Sequence, residues 1–303
     1  MQMLTTMITP YTADGKVDLD TAERYVDWYY QNGLDGIFAV CQSSEIFYLS
    51  LEERVALNRR VYARAKALNP DFLVVSSGHV ANTIEEQAHE LNAIYASGTD
   101  ALILITNRLD PNNEGDDVFI ANAEQLLALL PPDAKLGFYE CPYPYKRLVT
   151  PKILDWCLST GRFYYMKDTC CDADLIAERV AQLKGSHFKL LNANCQTLLQ
   201  TMRDGADGYC GIMANYHPAL YAWLGKHYAE EQADAVAGVL GTFGFTEAGL
   251  PYPLSAKYHM TLCGMPTPVT SRKNKPEEWT PYAAHCVEQM KAATDKLETL
   301  LHE

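Results

Sequence analysis

Short runs of β-branched and aromatic residues alternate with helical patterns through the first two-thirds of the chain. Eight runs read as strands, at 4–9, 36–41, 72–77, 101–106, 135–141, 163–168, 188–193 and 208–212. Several are nearly continuous in apolar residues, as expected of strands covered on both faces. Helices begin between them at recognisable signals. Ser50-Leu51-Glu52-Glu53 and Thr83-Ile84-Glu85-Glu86 have capping-box spacing, and Thr150-Pro151 joins an N-cap to a proline at the first helical position. Ile84, Ala88, Leu91 and Tyr95 then recur at helical spacing and read as a packing face. Such alternation predicts βα units around a parallel sheet. After about Pro218 the strand pattern stops, and 219–228, 231–245, 252–263 and 276–302 read as helices. The expectation is an α/β protein: a (β/α)8 TIM barrel over residues 1–228, then a C-terminal helical domain over 229–303.

Composition narrows the function. At 303 residues and 48% hydrophobic, the chain has material for one large core. No apolar run approaches the ~20 residues of a membrane span, and no basic-then-hydrophobic leader opens the chain, so a cytoplasmic protein without a membrane partner is expected. A formal net charge of −13 argues against nucleic acid, which calls for clustered Lys and Arg. An anionic substrate would therefore need a local positive site. The nine cysteines show no C-x-x-C pair and no zinc-finger spacing, and read as reduced, mostly buried thiols. No G-x-G-x-x-G or Walker A sequence follows a strand, which leaves dinucleotide and nucleoside triphosphate sites without support. Scattered Cys and His give a metal site only weak support.

In a parallel barrel the chemistry sits at the C-terminal ends of the strands. Strand 2 ends in Cys41-Gln42-Ser43-Ser44-Glu45, strand 5 in Tyr139-Glu140-Cys141-Pro142, strand 6 in Met166-Lys167-Asp168-Thr169 and strand 8 in Tyr209-Cys210-Gly211. Lys167 stands out. It emerges from Phe163-Tyr164-Tyr165-Met166, and apolar surroundings disfavour an ammonium and favour the nucleophilic amine. Pairing with Asp168 or a helix carboxylate is the plain structural alternative. Tyr139 could move protons, or simply pack. Ser43 and Ser44, with adjacent amides, could form a small anion-binding concavity. Glu45 is expected to fix that turn by accepting backbone amides.

At these residues the chain resembles the dihydrodipicolinate synthase / N-acetylneuraminate lyase family of Schiff-base aldolases. The resemblance runs along the whole sequence: Thr9-Pro10, the loop ending in Glu45 followed by Leu51-Glu52-Glu53-Arg54, Tyr139-x-x-Pro142, Lys167-Asp168-Thr169 and Gly208-Tyr209-x-Gly211. It implies that Lys167 forms an imine with pyruvate or a pyruvoyl substrate, that Tyr139 relays protons, and that Ser43 binds the carboxylate. With Ser43 go Ser44, Gln42 and Cys210 as candidate substrate-binding residues. It also implies a homo-oligomer, usually a tetramer. The departures are specific. The family loop reads G-[ST]-[ST]-G-E, so both glycines are gone and Gln42 stands where a proton-passing hydroxyl is usual. The stretch Thr106–Pro111 lacks the synthase's second tyrosine, and Pro144 takes the place of its substrate-binding arginine, with Lys146 and Arg147 a little further on.

These features predict an aldolase or lyase acting on a 2-oxo acid. A hydratase or dehydratase using the same imine is the near alternative. A non-catalytic metabolite-binding barrel, or a metal hydrolase using His79 and His217, are the distant ones.

Overall fold

The computed structural model describes residues 1–302. Eight parallel strands close into a barrel in chain order, β1 pairing with β8. They are β1 Gln2–Thr6, β2 Gly36–Ala39, β3 Leu73–Ser76, β4 Ala101–Ile105, β5 Leu136–Tyr139, β6 Phe163–Asp168, β7 Lys189–Asn192 and β8 Gly208–Gly211. The helices of the barrel are α1 Leu19–Gln31, α2 Leu51–Leu68, α3 Ile84–Ser97, α4 Thr106–Leu109, α5 Asp116–Leu129, α6 Pro151–Thr160, α7 Ala173–Leu183, α8 Leu198–Arg203 and α9 Pro218–His227. Three more follow: α10 Gln232–Glu247, α11 Leu254–Leu262 and α12 Pro281–His302. Among the described residues, no helix is long and apolar enough to cross a membrane.

All eight strands lie where the hydrophobic runs place them, and the boundary differences have local causes. The first strand stops at Thr6, not at residue 9. Beyond it, the chain bonds the β2 loop through side chains: the Ser44 hydroxyl donates to the Met7 carbonyl, and the Thr9 hydroxyl to the Ser44 carbonyl. Ser50 and Glu53 form the expected capping box, and the Thr150 hydroxyl accepts the Ile153 amide. At α3 the box is incomplete, because the Glu86 carboxylate accepts the Thr83 hydroxyl and not the amide. The last helix starts at Pro281, where Thr280 caps it, after a separate turn at Pro276–Glu278.

Strand alternation sorts side chains between the barrel interior and the helical layer. On β5 and β6, Phe138 and Phe163 join Phe119 of α5 and Phe188 in a row of rings, with centroids 4.7–6.0 Å apart. Each such pair adds about 0.5–1.5 kcal/mol beyond its buried area. The row packs against the two strands that carry Tyr139 and Lys167, whose pairing shifts register once, between Leu136 and Gly137, before those two residues meet.

Candidate active site

Tyr139 and Lys167 are register partners at the ends of β5 and β6. Both are buried, Lys167 with 8% of its surface accessible. The Lys167 ammonium position lies 4.1 Å from the centroid of the Tyr139 ring, and Phe38 of β2 meets that ring edge-on at 5.6 Å. The neighbouring carboxylates face the other way. Asp168 and Glu140 both pair with Arg179 of α7, in the helical layer. The alternative of a Lys167–Asp168 pair is thus ruled out by strand parity. Among the described residues Lys167 forms no salt bridge, and it stands among aromatic rings.

A cavity of about 320 Å³ opens over these residues at the C-terminal end of the barrel. It is lined by Gln42, Ser43, Tyr139 and Lys167, together with Thr169, Asn194 and, from beyond the barrel, Tyr252. The Tyr139 hydroxyl donates to Gln42 Oε1 at 3.0 Å. Burial holds its pKa well above the ordinary phenol range, with the Cys141 and Cys41 thiols adding to the shift, so the phenol stays protonated and available to donate. Ser43 Oγ donates to Thr6 Oγ1 at 3.0 Å and is the loop hydroxyl that lines the cavity.

Two expected binding residues lie elsewhere. Ser44 is fully buried: its hydroxyl donates to the Met7 carbonyl at 2.6 Å and accepts the Cys41 amide, while its own amide is bonded to the Cys41 carbonyl. It fastens the loop to the end of β1 and does not face the cavity. Cys210 sits in the barrel interior and is absent from the cavity lining. Burial pushes its thiol up to about 12 despite the opposing charge of Lys167. It is a small buried apolar group near enough to feel the charge of the lysine.

The glycine-free loop adapts at its flanks. Cys41 is extended at φ −122°, and Ser44 lies in a short 3-10 turn, so neither requires glycine. The left-handed positions are instead Val40 (φ 44°) and Glu45 (φ 61°). Such a backbone is costly for a β-branched residue and persists when its surroundings hold it. Glu45 is held, although not by its own turn as expected. Its carboxylate pairs with Lys257 at 2.7 Å and accepts the Ser271 hydroxyl and the Arg272 and Lys273 amides.

Tyr252 was not apparent from the sequence. Its phenol accepts from Asn215 Nδ2 at 3.2 Å, and Asn215 in turn accepts the Tyr29 hydroxyl at 2.6 Å. The only local signal was the Pro251-Tyr252-Pro253 punctuation before α11. Arg147 is a structural residue, pairing with Asp110 and Asp116. In place of the second tyrosine, Asn107 donates to the carbonyls of Cys141, Tyr143 and Tyr145 and so clamps the β5–α6 loop.

The histidines considered for a metal do not converge. His79 Nε2 accepts the Ile105 amide at 2.7 Å between β3 and β4, whereas His217 bonds Thr294 of α12. A larger cleft of about 520 Å³ lies at the opposite end of the barrel, along α7 and α8. It contains neither Lys167 nor Tyr139, and ligands of parallel barrels bind at the other face.

Fold and site define a (β/α)8 barrel with a lysine and a tyrosine side by side at the mouth. Residues 1–108 match the model of the dihydrodipicolinate synthetase family. A 4-hydroxy-tetrahydrodipicolinate synthase of Pseudomonas aeruginosa is 25% identical over 213 residues, 70% of each chain. The synthase of Saccharophagus degradans is 24% identical over 266 residues, 86% of this chain and 87% of that one. Among solved structures, YagE, an E. coli K12 prophage protein of the dihydrodipicolinic acid synthase family in complex with pyruvate, superposes with a TM-score of 0.83 at 20% identity over 98% of both chains. The sialic acid aldolase of Ruminococcus gnavus gives 0.83 at 14% identity over 97% of this chain and 98% of that one. The chain is thus similar to the dihydrodipicolinate synthetase family over residues 1–108, and over its whole length it shares the fold of these solved structures.

Proposed function

We propose that this protein is a lyase that captures pyruvate, or a larger 2-oxo acid, as an imine on Lys167 and makes or breaks a carbon–carbon bond next to it. One observation carries the reading: a buried lysine with no carboxylate partner among the described residues, 4.1 Å from the ring of a strand-end tyrosine, opening into a cavity. The relatives' synthase activity and the pyruvate bound by YagE support it.

The neutral amine adds to the keto carbon, and the carbinolamine hydroxyl leaves as water after taking a proton. Tyr139 is placed to supply that proton and recover it. The resulting iminium draws electrons from the adjacent carbon, so loss of a methyl proton gives an enamine that attacks an aldehyde carbonyl. The reverse sequence cleaves the bond. Ser43 holds the substrate carboxylate in this scheme, by giving up its bond to Thr6. Gln42 accepts from Tyr139 but has no ionisable proton to pass on. The relay therefore ends at Tyr139 and solvent, which favours an acceptor different from that of the synthases.

The enamine step needs no acceptor, so it can be measured without knowing one. In heavy water the protein should catalyse exchange of the pyruvate methyl protons, read by NMR. Lys167→Ala should lose this exchange, and Tyr139→Phe should slow it by about 10²–10⁴-fold. Full exchange by folded Lys167→Ala protein would refute the mechanism.

A further inference from the structure

The C-terminal helices reach the cavity through Tyr252, on the short segment between α10 and α11. Its surroundings fix which way the phenol points. Asn215 Nδ2 lies 2.8 Å from the Thr6 carbonyl and 3.0 Å from the Ile212 carbonyl. Carbonyls only accept, so this end of the amide is the donor, and Oδ1 faces the Tyr29 hydroxyl 2.6 Å away. The bond of 3.2 Å from Asn215 to Tyr252 therefore ends on the phenol oxygen, and Tyr252 keeps its own O–H to give. Asn215 is fully buried, and reversing its amide would strand two carbonyls. Burial holds the Tyr252 phenol well above its ordinary pKa, opposed by hydrogen bonding to Ser43 and Thr6, so it stays protonated. Ser43 Oγ in turn donates to Thr6 Oγ1 at 3.0 Å. Three hydroxyls thus meet beside the ends of β1 and β2, and two of them, Ser43 and Tyr252, line the cavity that holds Lys167.

A carboxylate presents two oxygens with about four acceptor positions. The β2 loop answers few of them. The amides of Ser44 and Glu45 are spent on the carbonyls of Cys41 and Gln42, and the Ser44 hydroxyl is spent on Met7. We infer that Tyr252 is a substrate-binding residue, whose O–H donates to the carboxylate of the 2-oxo acid beside Ser43. The segment after α10 thereby completes a grip that the β2 loop leaves open. The inference rests on the reading of Lys167 as the imine lysine and adds the residue that orients its substrate. A carboxylate held from two separate parts of the fold is fixed in direction, which turns the adjacent keto carbon toward Lys167.

Tyr252→Phe tests this. The change removes one oxygen and leaves Asn215 Nδ2 both of its carbonyls, so the variant should fold, which its urea midpoint checks. The readout is exchange of the pyruvate methyl protons in heavy water, followed as a function of pyruvate concentration. A contact kept from the bound keto acid through to the enamine acts on KM and not on kcat. Tyr252→Phe should therefore raise KM by about tenfold or more, the scale of one hydrogen bond to a charged group, with kcat nearly unchanged. Tyr139→Phe should instead lower kcat. Tyr258→Phe, which removes a hydroxyl bonded to Glu288 on α12, should leave both constants as in the wild type. Pyruvamide keeps the ketone and the methyl group but carries no charge, so its KM should rise distinctly less in Tyr252→Phe than that of pyruvate. An unchanged KM for pyruvate, a fall in kcat alone, or equal losses for pyruvate and pyruvamide would overturn the assignment. If the wild type exchanges no pyruvate protons, the imine reading fails by itself. NMR titration with lactate, which has the carboxylate but no ketone, then decides the Tyr252 contact: weaker binding by Tyr252→Phe upholds it, and equal binding overturns it.

Discussion

Two buried lysines, Lys167 and Lys257, show how one side chain serves two purposes. Lys257, on α11, is fully buried and is answered by the Glu45 carboxylate at 2.7 Å and the Thr270 carbonyl at 2.6 Å. Burial lowers its pKa, while the charge of Glu45 opposes the shift. Lys167 is nearly as buried but faces the Tyr139 ring and an open cavity, with its neighbouring carboxylates turned away toward Arg179. A lysine whose charge is answered within the fold builds structure. A lysine left without a counter-charge at a cavity is available for chemistry.

The contrast can be broken by substitution. Lys257→Met removes the counter-charge of Glu45 and should cost about 3–5 kcal/mol, the scale for stranding a buried charge. Lys167→Met should stay within about 1 kcal/mol of wild type, because no partner is stranded. Urea unfolding of the two variants side by side measures both, and adding Glu45→Gln to Lys257→Met should recover part of the loss. Equal destabilisation by the two methionines would erase the distinction.

A smaller effect sharpens the same point with a neutral group. His79 accepts the Ile105 amide, and burial holds its pKa down at about 4, against an ordinary value of 6.5. Below pH 6.5 the unfolded chain takes up a proton that the folded protein refuses. The stabilisation is therefore complete above that pH and declines as the pH falls toward 4, by roughly 1.4 kcal/mol per unit. Urea midpoints at pH 7 and pH 5 should differ more in the wild type than in His79→Gln. Identical differences would assign the acid sensitivity to other groups.

The sequence made some of this legible for plain physical reasons. Strands buried on both faces are written as continuous apolar runs, so all eight could be read. Lys167 and Tyr139 interrupt or end such runs, and strand parity then turns them inward. The reading erred where neighbours in the chain part company in space. Ser43 and Ser44 look equivalent in sequence, but the short turn sends Ser43 to the cavity and Ser44 into the floor of the loop. Cys210 ends β8 at the expected level yet fills the interior. Tyr252 carried no local signal beyond its flanking prolines, and Lys257 and Lys273 carried none. Their roles arise from contacts such as Lys257–Glu45, 212 positions apart, which bring the segment after α11 against the β2 loop.

Borohydride trapping with pyruvate, followed by peptide mass spectrometry, reads out the imine and the lysine that carries it. A reduced pyruvoyl adduct is expected on Lys167 and none on Lys257. An adduct on another lysine, or none from pyruvate and from larger 2-oxo acids on folded protein, would contradict it.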